Sequence, residues 1–319
     1  MKIAKEKITF GIVLLLLLYI VLHFEPKDID DYFGTFDISR YYSQLEAYKG
    51  VGTEYFYSRL LQNHSEPLSE IIFYSVGKSG ENSLLLVISA LINIIVFYKI
   101  GKEIKGDSGE KSGFLLAIVL FYLINPLSEQ LNTILSQLAM PLTAYGLVEY
   151  YLKGKRIKSF ILIAVAFGIN NIALIGALVI SISYLIKTIR INNEIVYLPI
   201  IILSGIVVIN LLENDQIFLG AFSTSGQNII LTVFQGIALT LFSLMYWNKK
   251  TSLSRPLIIL NTIATLTIDS MIGVRIFNIN AFFLPFYFSK LRLIDSLALI
   301  MTLIYGCYNY YVFAIRLNQ

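Results

Sequence analysis

The 319-residue chain is 56% hydrophobic and 14% charged, which is too apolar for one soluble core, so we predict an all-α, polytopic integral membrane protein. Its single cysteine excludes an internal disulfide framework and a cysteine-based zinc site. The net charge of +4 comes mainly from short loops between apolar runs, which indicates membrane topology and not nucleic-acid binding.

The apolar runs predict about 10 membrane segments, most of them near the ~20 residues that span the hydrocarbon layer. In chain order the runs are residues 8–24, 81–98, 113–127, 131–152, 159–186, 195–211, 228–247, 256–271, 276–289 and 293–313. Neither an internal repeat nor a soluble appended stretch interrupts them. We therefore predict a single membrane domain over residues 1–319.

Positively charged residues fall into alternate gaps between these runs. Because short loops rich in Lys and Arg are retained in the cytoplasm, 18 of the 25 basic residues are predicted to be cytoplasmic. The seven that would lie on the external side are Lys27, Arg40, Lys49, Arg59, Lys78, Arg275 and Arg316. Topology does not explain a charge on that side, which makes these residues candidates for function.

The first apolar run follows a basic N-terminus but precedes Glu25-Pro26-Lys27-Asp28 and not a small-residue cleavage site. We interpret it as a retained anchor with the N-terminus in the cytoplasm. Residues 25–80 would then be external. Since a structureless loop of this length is unusual, the stretch is predicted to contain short helices at the membrane interface.

Two of the runs depart from a simple membrane span. Residues 159–186 are too long for one helix and contain Gly168, Asn170 and Asn171. They predict a broken or re-entrant pair of short helices with a polar elbow towards the outer leaflet, where irregular backbone must line a cavity or be covered by protein. Residues 276–289 are short, and we expect Arg275 to open that segment.

The predicted external stretch carries three candidate proton acceptors, Asp37, Glu66 and His64. A carboxylate just outside the membrane can act as a general base on a sugar hydroxyl, and a histidine beside Glu66 can shuttle protons near neutral pH. For each of these residues a solvated side chain without a task is the competing interpretation.

Arg275 is the strongest single candidate because it lies between Asp269 and Asn278 in otherwise apolar sequence. An arginine at the membrane edge is costly and marks a functional site, and its planar fork suits a phosphate or pyrophosphate. Asn278 is a candidate substrate-binding residue beside it. The alternative is a structural ion pair between Asp269 and Arg275 that holds two helices together.

Polar residues also gather in two of the predicted segments. Asn132 and Ser136 are four residues apart, so they share a helix face that can point into a cavity, and Gln137 follows them. Asn170 and Asn171 stand in the broken segment. All five are candidate substrate-binding residues, and the alternative for each is a hydrogen bond between neighbouring helices.

The order of these features resembles the EpsG-type branch of the Wzy-like polysaccharide polymerases. The shared features begin with a first anchor, an external Asp-x-x-x-Tyr stretch (residues 37–41) and a Glu-Pro at Glu66 that opens a short apolar helix. They continue with an Asn-x-Ile-Arg-Gln-x-Leu-Ala-like stretch (residues 132–139), a broken segment and a late arginine, here Arg275.

The sequence departs from that family pattern at two positions. Leu135 stands where the family has an arginine, and Asn170 stands where it has a histidine. If those groups bind phosphate or activate the acceptor, this protein must use Arg40, Arg59, His64 or other residues instead, or it carries out a related but different reaction. The substrate-binding residues that the resemblance implies in the external stretch are Arg40, Tyr41 and Arg59.

The resemblance implies a metal-independent and nucleotide-independent glycosyltransferase of bacterial O-antigen, capsule or exopolysaccharide synthesis. It would need no cofactor and would transfer a glycan from undecaprenyl pyrophosphate, or a similar polyprenyl pyrophosphate, onto the non-reducing end of a new lipid-linked unit. Besides the lipid bilayer, a chain-length regulator and a repeat-unit flippase are the implied partners. The protein would be a multi-pass protein of the plasma (inner) membrane with its active site on the external, periplasmic side.

Two other functions stay open at this point. A multi-spanning glycosyltransferase that uses a polyprenyl-phosphate sugar would have its catalytic acid in the first external loop, where Asp30, Asp31 and Asp37 fit. A transporter or lipid flippase should show repeats and charges in mid-membrane, which the sequence does not. The polymerase uses one lipid-linked oligosaccharide as donor and acceptor, whereas the glycosyltransferase adds one sugar from a separate donor.

Overall fold

The computed structural model describes residues 37–62, 66–108, 133–188, 229–248, 251–267, 271–284 and 293–317, and the regular structure in these ranges is helical. In chain order the helices are α1 (Asp37–Gly50), α2 (Thr53–Gln62), α3 (Pro67–Ser79), α4 (Ser83–Ser108), α5 (Ile134–Tyr151), α6 (Arg156–Ile169), α7 (Leu174–Thr188), α8 (Ile229–Asn248), α9 (Ser254–Leu266), α10 (Met271–Ala281) and α11 (Leu293–Leu317). The predicted all-α fold class is confirmed for this part of the chain.

Two stretches of the described residues are long and apolar enough to cross a membrane, Ser83–Ile104 within α4 and Asn171–Thr188, which includes α7. Helices α4, α5, α8 and α11 begin close to the starts of the apolar runs predicted for them. The predicted segments at residues 8–24, 113–127 and 195–211 lie outside the described residues. A fold with about 10 membrane segments therefore stays a prediction.

Helix α5 is buried along nearly its whole length, as expected for a helix that is apolar all round. It packs against α4, α6, α7 and α10. Glycines allow two close approaches: a Cβ on Gly146 would lie 2.9 Å from Cγ1 of Ile163, and one on Gly176 would lie 2.7 Å from Cγ2 of Thr143. Small residues of this kind let helices pack tightly in membranes, where apolar burial between helices gives little drive.

The predicted break in the long apolar run is present at Asn170. Helix α6 ends at Ile169, Asn170 is extended, and a 3₁₀ turn at Asn171–Ala173 leads into α7. The side-chain oxygen of Asn170 accepts a hydrogen bond from the backbone N–H of Ile172 at 3.1 Å, which caps the turn. Whether this elbow is re-entrant and faces the outer leaflet stays a prediction.

Two predicted boundaries are wrong. Arg275 does not open a segment but lies within α10, because arginine is a good helix former and the helix continues through it. The run predicted to end at residue 271 ends as α9 at Leu266, where Thr267 turns its hydroxyl back to the carbonyl of Ile263 at 2.9 Å.

The stretch predicted to be external contains α1, α2 and α3, which pack on one another. Helix α3 begins with Pro67, at a position where a missing N–H breaks no helical hydrogen bond, and it ends at the left-handed Gly80 (φ 80°). It approaches α1 most closely at Gly77, where a Cβ would lie 2.7 Å from both the carbonyl oxygen of Leu45 and Cβ of Tyr48. The external location and the contact with the membrane surface stay predictions.

Candidate active site

A cavity of about 440 Å³ lies where α1, α2 and α3 meet the first turn of α5. Two carboxylates, Glu66 and Glu70, and two arginines, Arg40 and Arg59, line it. Leu135 closes the side that α5 contributes. The volume is in the range of sites that bind small molecules, and opposite charges face one another inside it.

Glu70 is the more buried of the two carboxylates, with 1% of its surface exposed. Three side chains donate hydrogen bonds to it: the hydroxyl of Tyr48, the amide of Gln44 at 3.3 and 3.4 Å, and the guanidinium of Arg59 at 3.3 Å. A buried charge is tolerated when it is paired and hydrogen-bonded in this way. Both of its oxygens accept hydrogen bonds, so the position of the carboxylate is fixed.

The hydroxyl of Tyr48 is a hydrogen-bond donor to Glu70 that stays protonated. Burial, and after it the hydrogen bond to the Glu70 carboxylate, raises the pKa of Tyr48 to about 12. The hydroxyl therefore keeps its proton throughout the physiological range. Gln44 and Tyr48 are four residues apart on α1, so one face of that helix presents both donors.

Glu66 is the half-buried residue that precedes α3. Its Oε1 accepts the backbone N–H of Asn171 at 3.0 Å, which ties the start of α3 to the turn between α6 and α7. Burial raises the pKa of Glu66, and this effect outweighs the opposing ones of the Asn171 N–H and of the charges on Arg275 and Arg40. Glu66 is therefore a stronger base than an exposed glutamate.

Arg275, in the second turn of α10, brings a positive charge close to Glu66. Its Nε is buried and has no hydrogen-bond partner among the residues that the structure describes. Asp269, the partner in the alternative structural pair, lies outside those residues. A guanidinium with an unused donor near a carboxylate-lined cavity suits a phosphate group.

Aromatic rings form much of the remaining wall of the cavity. Tyr41 and Phe73 stack with their ring centroids 5.4 Å apart, and Tyr48 meets Tyr55 edge-on at 5.8 Å. The guanidinium of Arg40 lies 5.5 Å from the centroid of the Tyr41 ring. Apolar ring faces with a few convergent polar groups are the usual lining of a site for an organic ligand.

The structure brings six of the predicted site residues together. Four of them line the cavity, and Asn171 and Arg275 adjoin it through Glu66. The four lining residues are Arg40, Tyr41, Arg59 and Glu66. They come from α1, from α2 and from the residue that precedes α3, so their meeting depends on the packing of these three helices.

The other predicted site residues are placed differently. Ser136 and Gln137 are buried in α5, where the carbonyl of Gln137 accepts the amide of Asn93 at 2.8 Å, as expected for contacts between helices. Asn278 is buried in α10, and Asn170 caps the turn after α6. Asp37 is the first residue of α1. His64 and Asn132 lie outside the described residues.

Sequence reasoning missed Glu70, Tyr48 and Gln44. A signal for each was present, because Glu70 is four residues after Glu66, which precedes α3, and Gln44 and Tyr48 are four residues apart on α1. The spacing does not show that these two helix faces meet. Within the described ranges, no group of three or more His, Cys, Asp or Glu side chains is placed to hold a metal ion.

Comparison with known proteins found no curated protein and no solved structure that matches the chain. A model of the EpsG family matches residues 7–318, which is nearly the whole sequence. The family resemblance predicted from the order of motifs is confirmed by this match. The chain belongs to the EpsG family, a family of membrane proteins of polysaccharide biosynthesis.

Proposed function

We propose that the protein polymerises lipid-linked oligosaccharide repeat units. It would transfer a glycan from polyprenyl pyrophosphate onto the non-reducing end of a new lipid-linked unit. The observation that carries the proposal is the pairing, beside one aromatic cavity, of a carboxylate with a raised pKa, Glu66, and three arginines, Arg40, Arg59 and Arg275. Transfer from a pyrophosphate needs both a base and cations.

The chemical step forms one bond and breaks another. A hydroxyl oxygen of the acceptor sugar attacks the anomeric carbon of the donor glycan while the bond from that carbon to the pyrophosphate oxygen breaks. The polyprenyl pyrophosphate leaves with the electron pair, and a carboxylate takes the proton of the hydroxyl. The reaction requires no net input of electrons or of a nucleotide.

Glu66 is the best of the three candidate bases. Its pKa is raised by burial, it lines the cavity, and the Asn171 N–H holds one of its oxygens in a fixed position. A base works best when its pKa approaches the working pH. Asp37 at the start of α1 and His64 remain the alternatives.

The arginines would meet the pyrophosphate. Arg275 has a buried Nε with no partner among the described residues, and its charge lies close to Glu66. Placing a cation where the leaving group develops negative charge stabilises the transition state. Arg275 is therefore proposed to bind the leaving pyrophosphate, with Arg40 and Arg59 at the cavity.

The proposed setting follows from the sorting of charges in the sequence. The protein would lie in the bacterial plasma membrane with its N-terminus in the cytoplasm and its cavity on the external side. A flippase that delivers repeat units to that side and a chain-length regulator are the proposed partners. Cysteine labelling of Lys49→Cys from each side of the membrane tests the topology, and labelling only from the cytoplasm would overturn it.

Glu66→Gln tests the function directly. We expect a ~10²- to 10⁴-fold loss of polymerisation, because the amide keeps the shape but cannot accept the proton. The measurement uses membranes of a strain that lacks this protein, supplied with each variant, and follows the chain length of lipid-linked glycan on gels at matched protein levels. Glu54→Gln, an exposed carboxylate on α2, is the matched control.

The outcomes separate the candidate functions. Long glycan in the wild type and single repeat units in Glu66→Gln would support the proposal. A wild type that adds one sugar from a polyprenyl-phosphate donor, and forms no polymer, would favour the glycosyltransferase. Full polymer from Glu66→Gln would show that Glu66 is not the base.

A further inference from the structure

We propose that Glu70 is a positioning residue, whose buried carboxylate fixes Arg59 at the cavity so that the guanidinium meets the phosphate-bearing part of the substrate. This inference rests on the proposed function. It concerns the second carboxylate of the cavity, which the general-base step does not use. Glu66 precedes α3, Glu70 lies in its first turn, and both line the cavity, yet their surroundings differ.

The first step is that hydrogen-bond donors occupy both oxygens of Glu70. Oε2 accepts from Tyr48 and from Gln44, while Oε1 accepts from Arg59 and from Gln44. The guanidinium of Arg59 also forms an ion pair with this carboxylate. Since Tyr48 keeps its own proton, the arrangement does not relay one.

The second step is that Arg59 is only partly used by this pair. Its NH2 nitrogen lies 3.3 Å from Glu70, and 40% of its side chain is exposed. A guanidinium carries five N–H donors in a rigid fork, and its contacts with Glu70 and with the Tyr48 hydroxyl leave donors for other acceptors. Arg59 lines the cavity, so the remaining donors can face a ligand there.

The third step is that the groups that hold Glu70 in place are themselves rigidly positioned. Helix α1 supplies both Tyr48 and Gln44, and α1 packs on α3 at Gly77, where no side chain fits between them. Arg59 stands on α2, a helix with no buried residue of its own. The ion pair to Glu70 is therefore a principal contact that sets where the guanidinium lies.

Glu70→Gln is the test, because it keeps the shape and the hydrogen bond from Arg59 but removes the charge. We expect the KM for lipid-linked repeat units, extracted from the strain that lacks this protein, to rise about tenfold. The kcat should fall little, and the acid limb of the pH profile should remain, moved at most to lower pH, because the charge of Glu70 acts to raise the pKa of Glu66. Glu54→Gln is the matched control, and heating in detergent reports stability.

A double-mutant cycle separates the possible roles. If Glu70 acts through Arg59, the variant Glu70→Gln, Arg59→Ala should be no worse than Arg59→Ala alone. Independent, multiplying losses would overturn the proposal, as would loss of the acid limb of the pH profile in Glu70→Gln. An unchanged KM with lower thermal stability would show a purely structural role.

The test also distinguishes the inference from the function on which it rests. An inactive Glu66→Gln beside a Glu70→Gln variant with normal KM would remove the positioning role and leave the polymerase. A wild-type protein that forms no polymer from the extracted units would remove the polymerase itself.

Discussion

Helix α5 has a different charged site near each of its two ends. Its first turn reaches the cavity through Leu135, and its last turn contains Glu149, about 20 Å along the helix at 1.5 Å per residue. Glu149 is fully buried and accepts from Lys158 at 2.8 Å and Lys153 at 3.4 Å. Lys153 also pairs with Glu103 of α4 at 2.6 Å, so this lysine cluster ties α4, α5 and α6 together.

The lysine cluster and the cavity use a buried carboxylate in different ways. Both lysines belong to a basic stretch of sequence that the positive-inside rule predicts to be cytoplasmic, so this rule is sufficient to account for their presence. At the cavity, Arg59 stands on the predicted external side and shares Glu70 with a tyrosine and an amide. A buried glutamate indicates a functional site only where other charged groups face a cavity beside it.

The largest expected effect is on stability at the lysine cluster. The double exchange Lys153→Met, Lys158→Met leaves Glu149 buried without its two cations, and an uncompensated buried charge costs ~3–5 kcal/mol. We expect little folded protein, measured as the monodisperse fraction in detergent after stepwise heating. This outcome would distinguish the lysine cluster from the cavity, because the variant would lose its folded structure and not only its catalytic activity.

Two further variants control that prediction. Adding Glu149→Gln should restore folded protein, because it removes the orphaned charge. The exchange Lys155→Met, Arg156→Met removes as many positive charges from the same loop, where both side chains are exposed, and should fold normally. If it fails equally, loss of the cytoplasmic charge and not of the Glu149 pair explains the result.

Arg275 gives the next largest effect, and here the loss should be of activity. Arg275→Ala removes a fixed donor near the leaving group, for which we expect a ~10²- to 10³-fold lower rate of polymerisation. Arg275→Lys keeps the charge but loses the fork, so it should retain partial activity. Gel analysis of lipid-linked glycan measures both at matched protein levels.

The competing structural pair with Asp269 makes an opposite prediction. If the pair only holds helices together, removing both partners should restore folding and function, since the main cost is the orphaned charge. An active Asp269→Ala, Arg275→Ala variant would end the catalytic role of Arg275. A folded but inactive variant would show that Arg275 acts in catalysis at the cavity and does not, like the lysine cluster, serve mainly to stabilise the fold.

A substitution at Gly77 should have a smaller effect. It distinguishes the consequences of packing beside the cavity from those of packing elsewhere. A Cβ at this position would lie 2.7 Å from a backbone oxygen of α1, so Gly77→Ala must push α1 away from α3. Overpacking of this kind costs ~1–3 kcal/mol, and here it would also shift Tyr48 from Glu70. Gly50→Ala, where no other atom lies within 4 Å, is the matched control.

For Gly77→Ala we expect a rise in KM that, expressed as a free energy, is larger than the loss of thermal stability. Thermal unfolding in detergent and the KM for extracted lipid-linked units measure the two effects. Equal behaviour of Gly77→Ala and Gly50→Ala would show that α1 and α3 can separate without disturbing the cavity.

The apolar runs of the sequence predicted several of the helices in the described part of the chain. The starts of α4, α5, α8 and α11 and the break at Asn170 were all visible, since a run ends where polar or helix-breaking residues begin. The same rule misplaced Arg275, because a charge ends an apolar run without ending a helix.

The cavity was only partly predictable for a related reason. Arg40, Arg59 and Glu66 were found because topology does not explain external arginines and because the Glu-Pro pair matches a family motif. Glu70 and Tyr48 belong to short helices whose packing no periodicity determines, and their meeting depends on the close contact at Gly77. Residues of the site were predicted where an unexplained charge or a family motif identified them. They were missed where only a tertiary contact brings them into the site.

The smallest expected effect is a shift of the pH profile, and it tests whether the cavity behaves as an electrostatic unit. Activity needs Glu66 unprotonated, so it should fall as the pH drops through the pKa of Glu66, which burial raises above the usual 4.5. The charge of Arg40 acts to lower that pKa. Arg40→Gln should therefore move the acid limb to higher pH.

The measured quantity is the pH at which activity falls on the acid side of the profile, and not the rate at the plateau. Lys49→Gln, an exposed cation on the same helix, should leave the limb in place. Since Arg40 is exposed, added salt should reduce the difference between Arg40→Gln and the wild type. A limb that stays fixed in Arg40→Gln at low salt would mean that the proton is taken by a group outside the field of Arg40, and Asp37 and His64 would then be the bases to test.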